Sequence, residues 1–398
     1  MGGVRGCARV STRELDALDR RRNDLVRRHT SMAARGLTQD PYNSSKVYAA
    51  FGGGSVWAST GGGSSFTMSS KTSALSCNEV SVDVQVPGSV CLAASSNATW
   101  KSSDVGSSFV TSSLGIGALN FVSIAHNPVF STSFAVAFRG LNDGGVYMSQ
   151  NGGLTWTLQD LPTTRFTTLG FGPNGEAYAI CDGPITIARE GLYRRTGGSW
   201  LSLGPDQGPV FDSRLTALRF CEVDQDLILL GGEDFGVAGN KAAIWRSQDF
   251  GITLSRVYTS VESHEAVRDI EVAQDVADQL MLARFHDLES IQDGGVLGSS
   301  DGGTSWTAIT NGVPPQLQGE SLCASPSDDL TFYLADNGSP LGAGGLELVG
   351  LPCSAHAAVS VLGDSDTVLA NTQAVDGSPM VFATRTAVAV PAVRCNTL

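Results

Sequence analysis

SQNGGLTW at Ser149–Trp156 and SSDGGTSW at Ser299–Trp306 are two copies of one phrase. SSDVGSSF at Ser102–Phe109 and SQDFGITL at Ser247–Leu254 are two more. All four read Ser-x-Asp/Asn-x-Gly-x-Thr/Ser, then an aromatic residue or Leu. A phrase that returns roughly every 40 to 50 residues marks a stack of similar supersecondary units.

Between the copies the chain reads as short strands. Each unit has an apolar strand, a loop, a second strand, the phrase and a last strand. The apolar strands KVYAAF, SVCLAAS, SFAVAF, EAYAIC, DLILLGG, LMLARF, TFYLAD and TVLANT make eight units. Seven further segments precede units two to eight and read as innermost strands: EVSVDVQV, LNFVSIA, RFTTLGF, RLTALRF, VRDIEVA, ESLCAS and HAAVSVL. The first unit lacks one, and the tail AVRCNTL is expected to supply it, closing the ring and removing the exposed sheet edge. The fold expected is all-β: a single β-propeller of about eight four-stranded blades over residues 41–398. Seven is the alternative, because the last two units lack the phrase.

Residues 1–40 read as an N-terminal α-helical arm. Ser11 and Glu14 form a capping box. Leu15, Leu18, Leu25 and Met32 recur at helical spacing, Gly36 reads as a C-cap, and the other side is rich in Arg. Such an arm either straps the propeller or docks on a partner. The docking candidates are Leu15, Leu18, Arg21, Arg22, Leu25 and Arg28.

The residues of the phrase suit a turn. Asp104, Asn151, Asp249 and Asp301 can accept hydrogen bonds from turn N–H groups. Gly106, Gly153, Gly251 and Gly303 permit backbone angles that other residues resist. Phe109, Trp156 and Trp306 are expected to bury between sheets. The phrase resembles the Asp-box, or BNR, repeat of sialidases, sortilin-like receptors, some glycan hydrolases and photosystem-assembly propellers. Ser59–Phe66 and Arg194–Trp200 resemble decayed copies. The resemblance implies a propeller whose boxes stand on the outer rim, away from any central site.

Propeller sites usually open at the channel mouth. Arg165, Arg214 and Arg268 each precede an inner-strand segment in three successive units, with Asn120, Glu320 and His356 near the same place in others. Three guanidinium forks facing one funnel would suit a carboxylate, phosphate or sulfated glycan. The set is similar to the arginine triad of sialidases. A Tyr–Glu nucleophile pair is not identifiable, although Tyr178 with Glu176 or Glu222 is present. His264, His286 and Asp287 can meet in one blade. The acidic loops 231–241 and 286–295 are candidate binding surfaces.

The net charge is −13, so a nucleic-acid surface is not expected. Residues 1–36 depart from this balance, with nine Arg against four acids. No apolar run is long enough for a membrane span, and no secretory signal opens the chain. The eight Cys show no zinc spacing and read as buried core; Cys77 and Cys91 are the best candidates for a disulfide. HExxH, GxxxxGK[ST], GxSxG and nucleotide fingerprints are missing. No catalytic residues, metal or cofactor are expected.

Three functions fit. The first is a non-enzymatic structural subunit of a larger assembly, such as a bacteriophage tail or virion nozzle or adhesin, assembled in the cytoplasm. The second is a sialidase-like glycan-binding or glycan-hydrolysing protein. The third is a photosystem-assembly-like propeller.

Overall fold

The computed structural model describes residues 34–381, apart from stretches of up to nine residues such as 70–76, 182–190, 204–212, 273–279 and 337–345. Among the described residues the regular elements are thirty strands, β1 to β30 in chain order. They form seven four-stranded antiparallel sheets and one two-stranded sheet.

The innermost strands are β1 (Ala34–Asp40), β5 (Cys77–Val82), β9 (Phe121–His126), β13 (Phe166–Phe171), β17 (Ser213–Phe220), β21 (Glu265–Val272) and β25 (Gly319–Ala324). Each packs against the next, and β25 packs against β1. Across that last junction the Leu37 N–H donates to Ser321 Oγ at 3.2 Å. The ring closes on seven blades, the alternative count rather than the favoured eight.

Two strand assignments change with it. Val359–Leu362 of HAAVSVL is β28, paired outside β27 (Leu346–Gly350), so it is the outer strand of blade seven. Without the phrase, nothing in the sequence marks the turn before it. The eighth unit contributes the pair β29 (Asn371–Gln373) and β30 (Pro379–Val381). The second change concerns the arm. The ring starts at Ala34, not after residue 40, and β1 holds the place given to the tail. Gly36 lies within this strand and is not a helix cap. A Cβ there would stand 2.8 Å from Glu79 Cα, so glycine lets blades one and two approach. Leu15, Leu18, Arg21, Arg22, Leu25, Arg28 and the tail lie outside the described residues.

The core sits between blades. Tyr48 and Val56 of blade one pack with Cys77 and Val80 of blade two. Tyr178 and Leu192 of blade four pack with Leu230 and Trp245 of blade five. Strands second from the axis are covered on both faces, so they read as unbroken apolar runs rather than alternating ones. β14 (Ala177–Cys181) and β18 (Ile228–Asp234) are buried at every position. Cys77 is a buried thiol and not half of the disulfide expected with Cys91.

The repeated phrase forms the turn between the third and outer strands of its blade. In blade two it joins β7 (Thr99–Ser102) to β8 (Val110–Thr111). Ser102 Oγ accepts the Gly106 N–H at 2.9 Å, and Asp104 Oδ1 accepts the Ser108 N–H at 2.8 Å. The same bonds recur from Ser149 to Gly153 and Asn151 to Thr155, from Ser247 to Gly251 and Asp249 to Thr253, and from Ser299 to Gly303 and Asp301 to Ser305. The hydrogen bond from Ser108 holds the Asp104 carboxyl down at about 2, and Ser305 does the same for Asp301. Asp249 is also lowered; partial burial opposes the shift, and the bonds from Thr253 and Ser247 outweigh it.

Two consecutive residues in each turn have positive φ, such as Val105 (60°) and Gly106 (76°), or Phe250 (59°) and Gly251 (86°). Phe109, Trp156 and Trp306 are buried as expected. The turn also docks on the preceding blade. Lys101 donates to Gly152 O, Arg246 Nε donates to Gly302 O at 2.7 Å, and the Arg194 guanidinium lies 5.0 Å over the Phe250 ring. The shortened copy at 194–200 is a two-residue hairpin with both Gly197 and Gly198 at positive φ. Asp301→Ala removes four hydrogen bonds at an exposed turn, and about 1–2 kcal/mol of stability is expected to go with them. Partner binding should not change; a variant that unfolds like the wild type in urea but loses binding would contradict this.

Candidate functional site: the central channel

Every inner strand has a β-bulge near its start. The extra residues are Arg35, Asn78, Val122, Thr167, Thr216, Arg268 and Glu320, each skipped in pairing with the second strand. In β21 the skipped residues are Arg268 and Asp269. The recurring bulge bends each strand at one level around the axis.

The residues after the bulge form a girdle: Gly36, Glu79, Ser123, Thr168, Ala217, Asp269 and Ser321. Four of these side chains take an N–H from the next blade. Glu79 takes that of Ile124 at 2.8 Å, Ser123 that of Leu169 at 3.3 Å, Asp269 that of Leu322 at 2.8 Å, and Ser321 that of Leu37 at 3.2 Å. Two residues further along each strand, a second layer holds Arg219, Glu271 and Cys323.

Arg219 is the hub of this channel. Its guanidinium pairs with Glu271, its Nε donates to Ile270 O at 2.8 Å, and Asp269 Oδ1 lies 4.0 Å away. Its side chain is 35% exposed, so channel water reaches it. Burial works against its charge, but Glu271 and Asp269 more than offset that, and Arg219 stays protonated. Burial raises Glu79 to about 7, against its bonds from Ser123 and Ile124. Burial raises Glu271 to about 7 as well, against the pull of Arg219. Asp269 is raised by burial despite Arg219 and the Leu322 N–H. The thiol of Cys323 is raised by burial and then by Glu271.

The three arginines singled out in the sequence do not form one column. Arg165 lies outside the described residues. Arg214 is the second residue of β17, and Arg268 is the bulge residue of β21. Thr216 Oγ1 donates to Val267 O, which fixes the level of the two strands. With the bulges level, Arg268 stands beside Thr216, about two residues or roughly 7 Å further along the axis than Arg214. Asn120 precedes β9 at the level of Arg214 and has φ 62°. Glu320 belongs with Arg268, and His356 lies outside the described residues.

Arg214 faces Glu233 across the ladder at 3.6 Å, and Glu233 is buried. The neighbouring Asp234 is buried and paired with Arg256. These two acids thus belong to strand β18, and residues 235–240 after it carry no acid, so the expected acidic loop is not formed there. Most of the second acidic loop, 288–294, lies outside the described residues.

Tyr178 and Glu176 are not at the channel. Tyr178 is buried between blades four and five, 5.0 Å from the Phe220 ring, and burial pushes its hydroxyl up to about 12. Glu176 is held by Arg194 and Thr196. Glu222 is exposed in the turn after β17. His264 precedes β21, while His286 and Asp287 end β22 (Leu280–Asp287) beside it, opposite Ala266 and Glu265. Among the described residues no cluster of His, Cys, Asp and Glu could hold a metal ion. No helix among them is long and apolar enough to cross a membrane.

No family model and no curated protein matches this sequence. Solved structures do. The GH74 xyloglucanase of Xanthomonas campestris superposes with a TM-score of 0.63 at 14% identity, over 81% of this chain and 52% of its own. The chain thus spans about half the length of that enzyme. YCF48 bound to D1 peptide gives 0.57 at 14% identity, over 78% of this chain and 92% of its own. YCF48 from Cyanidioschyzon merolae gives 0.56 at 13% identity, over 77% and 93%. These likenesses establish the β-propeller fold.

Proposed function

We propose that this protein is a non-enzymatic β-propeller that binds other proteins as a subunit of a larger assembly. The observation that carries this reading is the state of the channel. Glu79, Asp269 and Glu271 are all engaged by Arg219 or by N–H groups of the next blade. General acid–base work needs a carboxylate that can meet substrate, and a glycosidase needs two. Here the carboxylates hold the blades together.

The comparisons support the same choice. The match runs over nearly all of YCF48, a protein solved with a peptide, and over only half of the xyloglucanase. A polypeptide segment of a partner is therefore the ligand class we favour. The recurring Ser and Asp/Asn bonds of the repeated turns support reading them as Asp-boxes, and we propose that the chain is a propeller of that kind. A bacteriophage tail or virion is the assembly type we favour, by analogy with propeller subunits of such particles.

Docking is assigned to residues 1–33 through Leu15, Leu18, Leu25 and the neighbouring Arg21, Arg22 and Arg28. A chain lacking residues 1–33 should keep the ring, because β1 begins at Ala34. It should no longer enter its native complex. Incorporation of the shortened chain at the wild-type level would end this reading.

Glycan or anion binding at Arg214 and Arg268 is the second reading. The offset of roughly 7 Å between them favours an extended anionic ligand over one carboxylate gripped by a triad.

A further inference from the structure

The two faces of the disc differ. All inner strands run the same way, so the turns that follow them share one face. On blades one to three these turns expose Tyr42 (54%), Val84, Val86, Val129 and Phe130 (60%). Neighbouring turns touch: Tyr42 Oη donates to Val84 O at 2.6 Å, and Gln85 Nε2 donates to Pro128 O at 2.7 Å. Leu154, also exposed, joins them through the repeated turn of blade three, where the Gly152 N–H donates to Thr132 O at 2.8 Å. Residues 84–88 and 128–132 contain no charge, in a chain of net charge −13. Across the same face, the turn of blade five carries Glu222, Asp224 and Asp226.

A face with an apolar area on one side and acids across from it calls for an apolar and basic occupant. Residues 11–33 supply both, with Leu15, Leu18, Leu25 and Met32 at helical spacing and six Arg against four acids along the segment. The segment meets the ring at Ala34, the first residue of β1, whereas Tyr42 lies just beyond the last. The two points are on opposite faces, about 23 Å apart through the disc. As the helix expected from its sequence, a segment of some 23 residues would be about 35 Å long. At that length it would not leave one face, round the rim and lie on the other of the same molecule.

We propose that residues 11–33 of one copy dock on the Tyr42–Val84–Val86–Val129–Phe130 face of a second copy. The contact is heterologous, so it stacks discs head to tail. It deepens the assembly reading above and rests on its assignment of the arm as a docking element.

Complementation between two full-length variants tests it. Phe130→Asp spoils the face and keeps the arm; Leu18→Asp with Leu25→Asp spoils the arm and keeps the face. Wild-type protein should self-associate in sedimentation velocity, and each variant alone should associate about 30-fold more weakly. Mixed, the two should form a 1:1 heterodimer that grows no further. Val86→Asp repeats the face test, and circular dichroism checks that each variant is folded. A wild type that stays monomeric at 100-fold range of concentration overturns the proposal, as do variants that associate normally or a mixture that stays monomeric. A monomeric wild type that still enters a larger native complex overturns only the stacking and leaves the assembly reading intact.

Discussion

Gly106→Ala is expected to lose about 2–4 kcal/mol of unfolding free energy, the largest effect of any single substitution in the repeated turns. Two costs add. Gly106 has φ +76°, and a Cβ there would stand 2.4 Å from Tyr48 Cε1. Tyr48 belongs to the previous blade, is fully buried, and donates through its hydroxyl to Val105 O at 3.2 Å. It cannot move without opening the junction of blades one and two. Gly198→Ala separates the two costs. Gly198 has φ +90° but nothing within 4 Å, so only the backbone strain remains, about 1 kcal/mol. Urea unfolding of both variants is the check. Equal losses would show that the turn of one blade does not brace the next.

Arg219→Met is expected to cost about 1–3 kcal/mol at pH 8 and clearly less at pH 5. The figure is set below that of a fully buried pair because water in the channel screens the charges. Without Arg219, the carboxylates of Glu271, Asp269 and Glu79 face one another around the axis. The sign of the pH effect follows from their folded values. Glu79 and Glu271 sit at about 7 against an ordinary 4.5, so the folded ring holds protons that the unfolded chain releases. Their contribution is full below pH 4.5 and is lost as pH rises to about 7. Removing Arg219 raises both further, extending the loss above pH 7. Asp104 and Asp301, held at about 2 against 3.8, act the other way and are lost only as pH falls through that range. Unfolding curves at pH 5 and pH 8 decide the matter; the same loss at both would remove Arg219 from its place as the counter-charge of the channel.

The phrase made most of the fold legible, because its chemistry is local. Ser102, Asp104 and Gly106 bond within one turn, so their spacing alone describes the geometry. The second strands are also plain, since Ala177–Cys181 and Ile228–Leu230 are covered on both faces and read as unbroken apolar runs. The inner strand of blade one is not. ARGLTQD is polar and follows a helical pattern, and what makes it a strand is contact with β5 and β25, at a sequence distance of up to 284 residues. HAAVSVL reads as an inner strand and is an outer one, because blade seven has no phrase to fix its strand order.

The candidate site was legible only in part. Arg165, Arg214 and Arg268 looked equivalent when strands were aligned by their first apolar residue. Aligning on the bulge instead puts Arg268 with Asn78 and Thr216, and puts Glu79, Ser123, Asp269 and Ser321 in one row. That recurring polar position was the available signal for the channel. The pairing of Arg219 with Glu271 depends on two neighbouring strands at one level, which no single segment reveals.

The mass of the native particle tests the central claim most directly. Light scattering on material purified from its source, with the subunits then counted, should give a particle several times the 41.5 kDa of one chain, with this protein at fixed stoichiometry. A free monomer near 41.5 kDa that binds or cleaves a glycan would contradict the account.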